Sequence, residues 1–590
     1  MSDRLLHYFE QELESIKQEA TEFAKANPGL ASNLGINEKG IDDPNVNRLI
    51  ESVAFLNAKI SKKLDDGVDE LSESILGTLY PDVDAPFPAV SSVQFQLDGS
   101  LTTASKITKG ELLSIINEKG EEWTFSTAAN AKLSPIEIVE ANYHRLPFEK
   151  PEVESNEKIK AKMSIDFATQ KEVAKDEVIT IDEIDLKISD EQRINSLIYA
   201  AIAKECLCIE VSYGNKTKLL KSSNIKKAGF DTELRLLPKS YQQLDGMQLA
   251  REVLNSQQSF EYLRIEDLGI SLGATEKLTL NIYLSSENSE LEQNVSQRSF
   301  QYGCVPIVNL YRKSAEPYKL KGNERSDIEV RGLKGGPLEV YKIDSVDCLQ
   351  GKSERKAIAA AYQPGMKLER NLKWSAKRTH NTSEKGNYCK TTLTVISKDE
   401  VGDEIICPQV WVKNHNNISR NINRSQQLDI EFQEARSEFK TIALAEPVRE
   451  GMSIEHDGLS RWTLLKRSGI GYIANEGVAA IKEILQKANI YQDKQVNLMI
   501  DAISACDTQR LIRRAFDNNH SGFINGQKIT LHISNEAFGN FSLYLFGLVI
   551  SRLLTELTTI NSFTELELIT TGQQQAVVKY PAQMGKIKFI

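Results

Sequence analysis

The sequence predicts a multi-domain α+β fold: an N-terminal helical arm or bundle, then β-rich middle domains, then a mixed α/β C-terminal domain. Three observations carry this. Residues 1–81 space their apolar side chains three and four apart, as one face of a helix requires. A long middle part alternates apolar and polar residues at the two-residue period of a half-buried strand. Beyond about residue 346 the two patterns intermix. At 590 residues the chain exceeds one ordinary core, and 40% apolar with 26% charged residues are globular proportions. The boundaries expected are 1–81, 82–345 and 346–590.

In the first element Leu6, Phe9, Leu13, Ile16, Ala20 and Phe23 form a narrow helical seam. Asn27, Pro28 and Gly29 should end it, and a connector should follow. A second helix should open with Asp43 as N-cap and Pro44 in the first turn, where a missing amide hydrogen costs nothing. Val46, Leu49, Val53, Leu56 and Ile60 continue the apolar seam. Asp65, Asp66 and Gly67 should break or bend it before a third helical stretch through Leu71, Ile75 and Leu79. Narrow seams of this length can close on each other as a hairpin or join an intermolecular bundle, and the pattern does not choose between them.

Pro86 and Pro88 mark a linker, after which Val93, Phe95 and Leu97 alternate with polar residues as a strand. Further strands are expected at Trp123 to Phe125, Leu207 to Val211, Leu278 to Tyr283 and Thr392 to Ile396. In the C-terminal part, helices are expected at Val478 to Ala488 and Phe541 to Leu557, and a strand at Leu566 to Ile569. Apolar residues cover most of the later helix, so it should be buried on several sides.

A formal charge of -10 argues against nucleic acid as a partner. Seven scattered cysteines fit reduced thiols rather than a disulfide framework. No apolar run is long enough for a membrane-spanning helix, and the N-terminus lacks a secretory apolar region, so a cytoplasmic protein without membrane insertion is expected. Residues 1–80 carry 15 acids against 8 bases, whereas 351–390 carry 10 bases against 3 acids. Such asymmetry serves solvated faces or complementary docking.

The search for chemistry yields no catalytic, cofactor-binding or metal-ligating set. Gly351, Lys352 and Ser353 lack the earlier glycine of a phosphate loop, because Val346 stands there. Gly469, Gly471 and Ala474 match a dinucleotide fingerprint, but the acid expected about twenty residues later falls in polar sequence at Gln492 and Asp493. An NAD(P)-dependent oxidoreductase using the Gly469 to Ala474 loop is the alternative reading. Cys206 and Cys208 share one side of a strand without two further zinc ligands, and His532 alternates within a strand-like run.

The segments Leu5 to Leu13, Asp43 Pro44, Arg48 Leu49, Phe55 Leu56 and Leu79 Tyr80 Pro81 resemble the TssF family of type VI secretion baseplate proteins. Lys109 to Glu111, Trp123 to Thr127, Gly229 Phe230, Leu236 to Pro238, Val305 to Leu310, Ala315 to Pro317, Leu545 to Gly547, Asn561 to Thr564 and Gly585 to Ile587 extend the resemblance in order. The chain departs from the family pattern at Ser256 to Ser259, Asn414 to Asn423 and Ser468 to Tyr472.

The resemblance implies a non-enzymatic wedge subunit of a contractile injection machine, related to phage-tail baseplates, with no cofactor. A phage tail-like extracellular particle is a further alternative. The implied partners are TssG, in a wedge of two TssF to one TssG, a second TssF copy, TssK, TssE and the VgrG hub. The implied location is a cytoplasmic baseplate docked at the inner membrane. In the family the N-terminal helices bundle with TssG, which makes Leu6, Phe9, Leu13, Ile16, Phe23, Leu49, Val53, Leu56 and Ile60 the candidate interface.

Overall fold

The computed structural model describes residues 3–79, 85–452 and 477–585, apart from 34, 38–39, 42, 99–100, 102, 153–157, 170–177, 239–244, 274–275, 321–324, 334–338, 351–352, 362–371, 384–385, 398–403, 415–421, 423–427, 435, 518–519, 540, 557, 559–561 and 571–577. The chain divides into two compact units, a helical one ending at Leu79 and a larger body.

The helical unit contains α1 (Asp3–Ala26), α2 (Pro28–Asn33) and α3 (Pro44–Leu79). α1 ends at Ala26 as expected, but Pro28 then opens a short helix instead of a plain connector; proline at a first helical position is preorganised for that. α3 starts at Pro44, and the Asn45 amide donates to the Asp43 carboxylate at 2.8 Å. The expected break at Asp65 to Gly67 does not occur, since α3 runs unbroken for 36 residues. One interior glycine costs only about 1 kcal/mol relative to alanine, which good helix formers on both sides offset.

The body is built mainly on antiparallel strand pairs around a core that extends from Ala85 to Tyr580. A six-stranded sheet has the order Asp429–Phe432, Leu112–Ile116, Glu122–Thr127, Cys304–Val308, Val90–Leu97 and Phe439–Leu444. Val93, Phe95 and Leu97 point inward and Gln94 and Gln96 outward, as the alternation demands. Pro306 does not end its strand. It lies inside Cys304–Val308 opposite Ser92, where pairing with the other neighbour is limited to Ile307 and Val308, so its missing donor interrupts no ladder there.

A five-stranded antiparallel sheet includes Cys206–Tyr213 and Lys277–Leu284. An eight-stranded sheet between Tyr311 and Lys413 encloses its own core around Val346, Leu393 and Val410. The boundary expected between residues 345 and 346 falls inside the strand Glu339–Gln350 of this sheet. That strand pairs with Ser353–Ala360 and Glu404–Lys413, both later in the chain.

The C-terminal sheet has the order Ile503–Asp517, His520–Ile533, Ser562–Thr570 and Val578–Met584. Its second and third strands are parallel, and the connection between them carries the helix Leu543–Glu556. A parallel pair needs such a crossover. Leu545, Phe546, Val549, Ile550, Leu553 and Leu554 are all buried, so this helix is central, as expected. The helix Val478–Ala488 also forms where expected.

Candidate partner interface

In the helical unit α1 and α3 pack as a hairpin. Its inner face includes Ala54 and Ala58, both fully buried, and small side chains there let two helices approach closely. The Phe9 and Phe55 rings meet edge to face with centroids 6.3 Å apart. The Ser61 hydroxyl donates to the Glu12 carboxylate at 2.9 Å. These contacts use one side of α3.

Another side of α3 is apolar and open. Leu49, Val53, Leu56, Ile60 and Leu64 are exposed, at 66, 48, 59, 59 and 68%. Their spacing of four, three, four and four residues keeps them within an arc of about 80°, centred roughly 140° away from Ala54 and Ala58 at 100° per residue. The stripe runs about 22 Å at 1.5 Å per residue. Burial of each such side chain would contribute about 1.5–3 kcal/mol that the described chain does not collect. α1 contributes at its edge, with Leu6 and Phe23 exposed and Phe9, Leu13 and Ile16 half-buried.

The nine seam residues therefore do not form one surface. Leu49, Val53, Leu56 and Ile60 share the open face of α3, whereas Phe9 is engaged with Phe55 inside the hairpin. Leu64 continues the stripe, and the expected helix break just beyond it hid it from the sequence reading. Leu30 on α2 is also exposed.

Among the described residues the body shows no comparable site. Gly469 to Ala474, Trp462 to Leu465, Gly351 and Lys352 lie outside the described residues. Among the described residues no group of three His, Cys, Asp or Glu side chains could hold a metal ion. Burial pushes the Cys206 thiol up to about 12, so it is a poor nucleophile. His532 alternates on its strand and places Nε2 2.9 Å from the Asp507 carboxylate. No described helix is long and apolar enough to cross a membrane.

Charged groups inside the body act as stitches. The Lys187 ammonium is fully buried and pairs with Glu446. The Tyr262 hydroxyl donates to Ser92 at 2.9 Å, and the Ser92 hydroxyl lies 3.4 Å from the same Glu446 carboxylate. Glu339 and Lys413 form a second buried pair at 2.9 Å. A cleft of about 290 Å³ opens beside Glu446, and Gln192, Gln257 and Gln258 are among the residues that line it.

The family model described as type VI secretion system, TssF, matches residues 1–587. The type VI secretion system component TssF1 of Pseudomonas aeruginosa is 24% identical over 633 aligned residues, with 99% of this chain and 99% of that protein covered. A chain in the structure of the type VI secretion TssK-TssF-TssG baseplate subcomplex superposes with a TM-score of 0.71 at 20% identity, covering 91% of this chain and 98% of its own. A chain in a type VI secretion baseplate complex gives 0.56 at 17% identity, covering 96% and 97%. At these identities the two solved structures establish a shared fold, and the family match over nearly the full length establishes that this chain belongs to the TssF family of type VI secretion components.

Proposed function

We propose that this chain is a structural, non-catalytic wedge component of a type VI secretion baseplate, and that the open stripe of α3 with the adjoining edge of α1 is its helical docking face for TssG. The observation that carries the interface is the row Leu49, Val53, Leu56, Ile60 and Leu64, left exposed on a helix whose other side is already packed. TssF-family membership supplies the baseplate role, and a fold relative was solved together with TssK and TssG. The family match leaves the nucleotide alternative without support.

In this reading two copies of the chain join one TssG, TssK decorates the wedge, and TssE and the VgrG hub complete its contacts on the cytoplasmic side of the inner membrane. Its work is conformational: many modest interfaces hold the machine extended and rearrange on contraction. The test is co-expression with TssG from the same locus, with complex mass measured by light scattering. A two-to-one complex that Leu49→Asp with Leu56→Asp abolishes supports both role and interface. A full-length chain that stays alone beside TssG overturns the role. A complex indifferent to the substitutions overturns only the interface.

A further inference from the structure

The C-terminal sheet ends in an unusually long edge. Ile503–Asp517 is 15 residues long and, among the described residues, has a strand neighbour on one side only, His520–Ile533. Strands typically run about five or six residues, and exposed edges are usually shorter still or covered. Among the described residues the third strand pairs with Asn525–Ile533. Arg513 to Asp517, opposite His520 to Ile524, therefore continue past it as a two-stranded arm. Its five residue pairs extend roughly 15 Å at 3.4 Å per residue.

The two faces of this hairpin differ. On one, Arg513 pairs with Glu565 and lies 5.5 Å from the Phe563 ring, and that ring occupies the space a side chain at Gly526 would need. This face is satisfied by the neighbouring strand. The other face carries Arg510, Ile512 and Arg514, with Phe523 opposite Arg514 and Asn525 opposite Ile512. Ile512 is 67% and Phe523 80% exposed, the latter the highest value for a large apolar side chain among the described residues.

Charge sets the class of partner. Ile503–Asp517 holds three arginines and two aspartates in a chain of formal charge -10, and Arg510 and Arg514 stand on the face that carries Ile512. Arginines alone would be an ordinary guard against edge-to-edge aggregation. Arginine beside exposed Ile and Phe, on a strand with an open edge, instead matches strand addition: main-chain hydrogen bonds give affinity, and alternate side chains give specificity. We propose that the free edge of Ile503–Asp517 receives an extended acidic segment of a partner protein as a fifth strand, with apolar residues on Ile512 and Phe523 and carboxylates towards Arg510.

The test uses the full chain and two short synthetic peptides, one repeating Glu-Ser-Val-Ser and one repeating Lys-Ser-Val-Ser, so that the charged and the apolar residue share one strand face as Arg510 and Ile512 do. Fluorescence anisotropy reads binding, and backbone amide exchange reads its location. The Glu peptide should bind saturably, weaken as salt rises, and slow exchange within 503–517. Phe523→Ser should weaken it about tenfold, as expected for an apolar anchor, and Arg510→Glu should remove the preference over the Lys peptide. Both side chains are exposed, so the thermal melt of each variant should match the parent and certify its fold. Equal binding of the two peptides, no binding of either, protection elsewhere, or variants that bind like the parent would overturn the proposal.

Discussion

Glu261 is fully enclosed in the body. Burial pushes its carboxyl up to about 7, and the nearby Glu446 adds to the rise, while hydrogen bonds from Gln257, Asn195 and Gln192 oppose it. A carboxyl whose folded value lies above its unfolded one holds its proton more tightly when folded. That contribution is complete below about 4.5 and is lost as pH rises through about 7. The swing is at most about 3 kcal/mol. The melting temperature should therefore fall between pH 5 and 8 through this group, and Glu261→Gln should flatten that slope in calorimetry. Glu446 tests a different residue-scale term. Glu446→Ala leaves the Lys187 ammonium buried without its partner carboxylate, and breaking a buried pair in this way costs about 3–5 kcal/mol. Denaturant titration should show that loss, and a near-neutral result would mean that the buried pair adds no net stability. Gly246 is the steric counterpart. A Cβ there would meet the Leu553 backbone at 2.8 Å, so Gly246→Ala should destabilise the body by about 1–3 kcal/mol in the same titration.

At the scale of elements, α3 separates two kinds of apolar residue that look alike in sequence. Ala54 and Ala58 hold the hairpin, whereas Leu49, Val53, Leu56 and Ile60 face away from it. Ala54→Leu should pry α1 from α3 and cost about 1–3 kcal/mol. Leu56→Asp should leave the free chain within about 0.5 kcal/mol of the parent, yet weaken TssG binding measured by calorimetry. Equal losses of stability and binding would show the stripe to be core. The sequence made the seam legible because its period is a local signal. It could not say which residues of the seam meet within the chain, since that depends on how α1 and α3 rotate about their axes. Nor did it show that α3 continues through Gly67, where helix-forming neighbours outweigh one weak residue.

At the scale of the whole molecule, the large core begins at Ala85 and contains no residue of the helical unit. Residues 85–590 expressed alone should therefore keep the circular dichroism and melting of the body while losing TssG. A body that unfolds without α1 to α3 would contradict that independence. The sequence by itself determined the fold class, the first helix end, the Asp43 and Pro44 helix start, the helix Val478–Ala488 and the six strands it named, because helix and strand periods, prolines and caps act over a few residues. It also carried the family, because ordered short motifs over the full length rarely coincide by chance. Only the tertiary structure decided what distant segments make together. The Ser91 hydroxyl bonds to the Glu446 carbonyl across 355 positions, a strand crosses residues 345 and 346 because its partners come later, and the open edge at Ile503–Asp517 exists only once the sheet order is known. Such pairings depend on which surfaces bury best against one another, a long-range choice that no local pattern encodes.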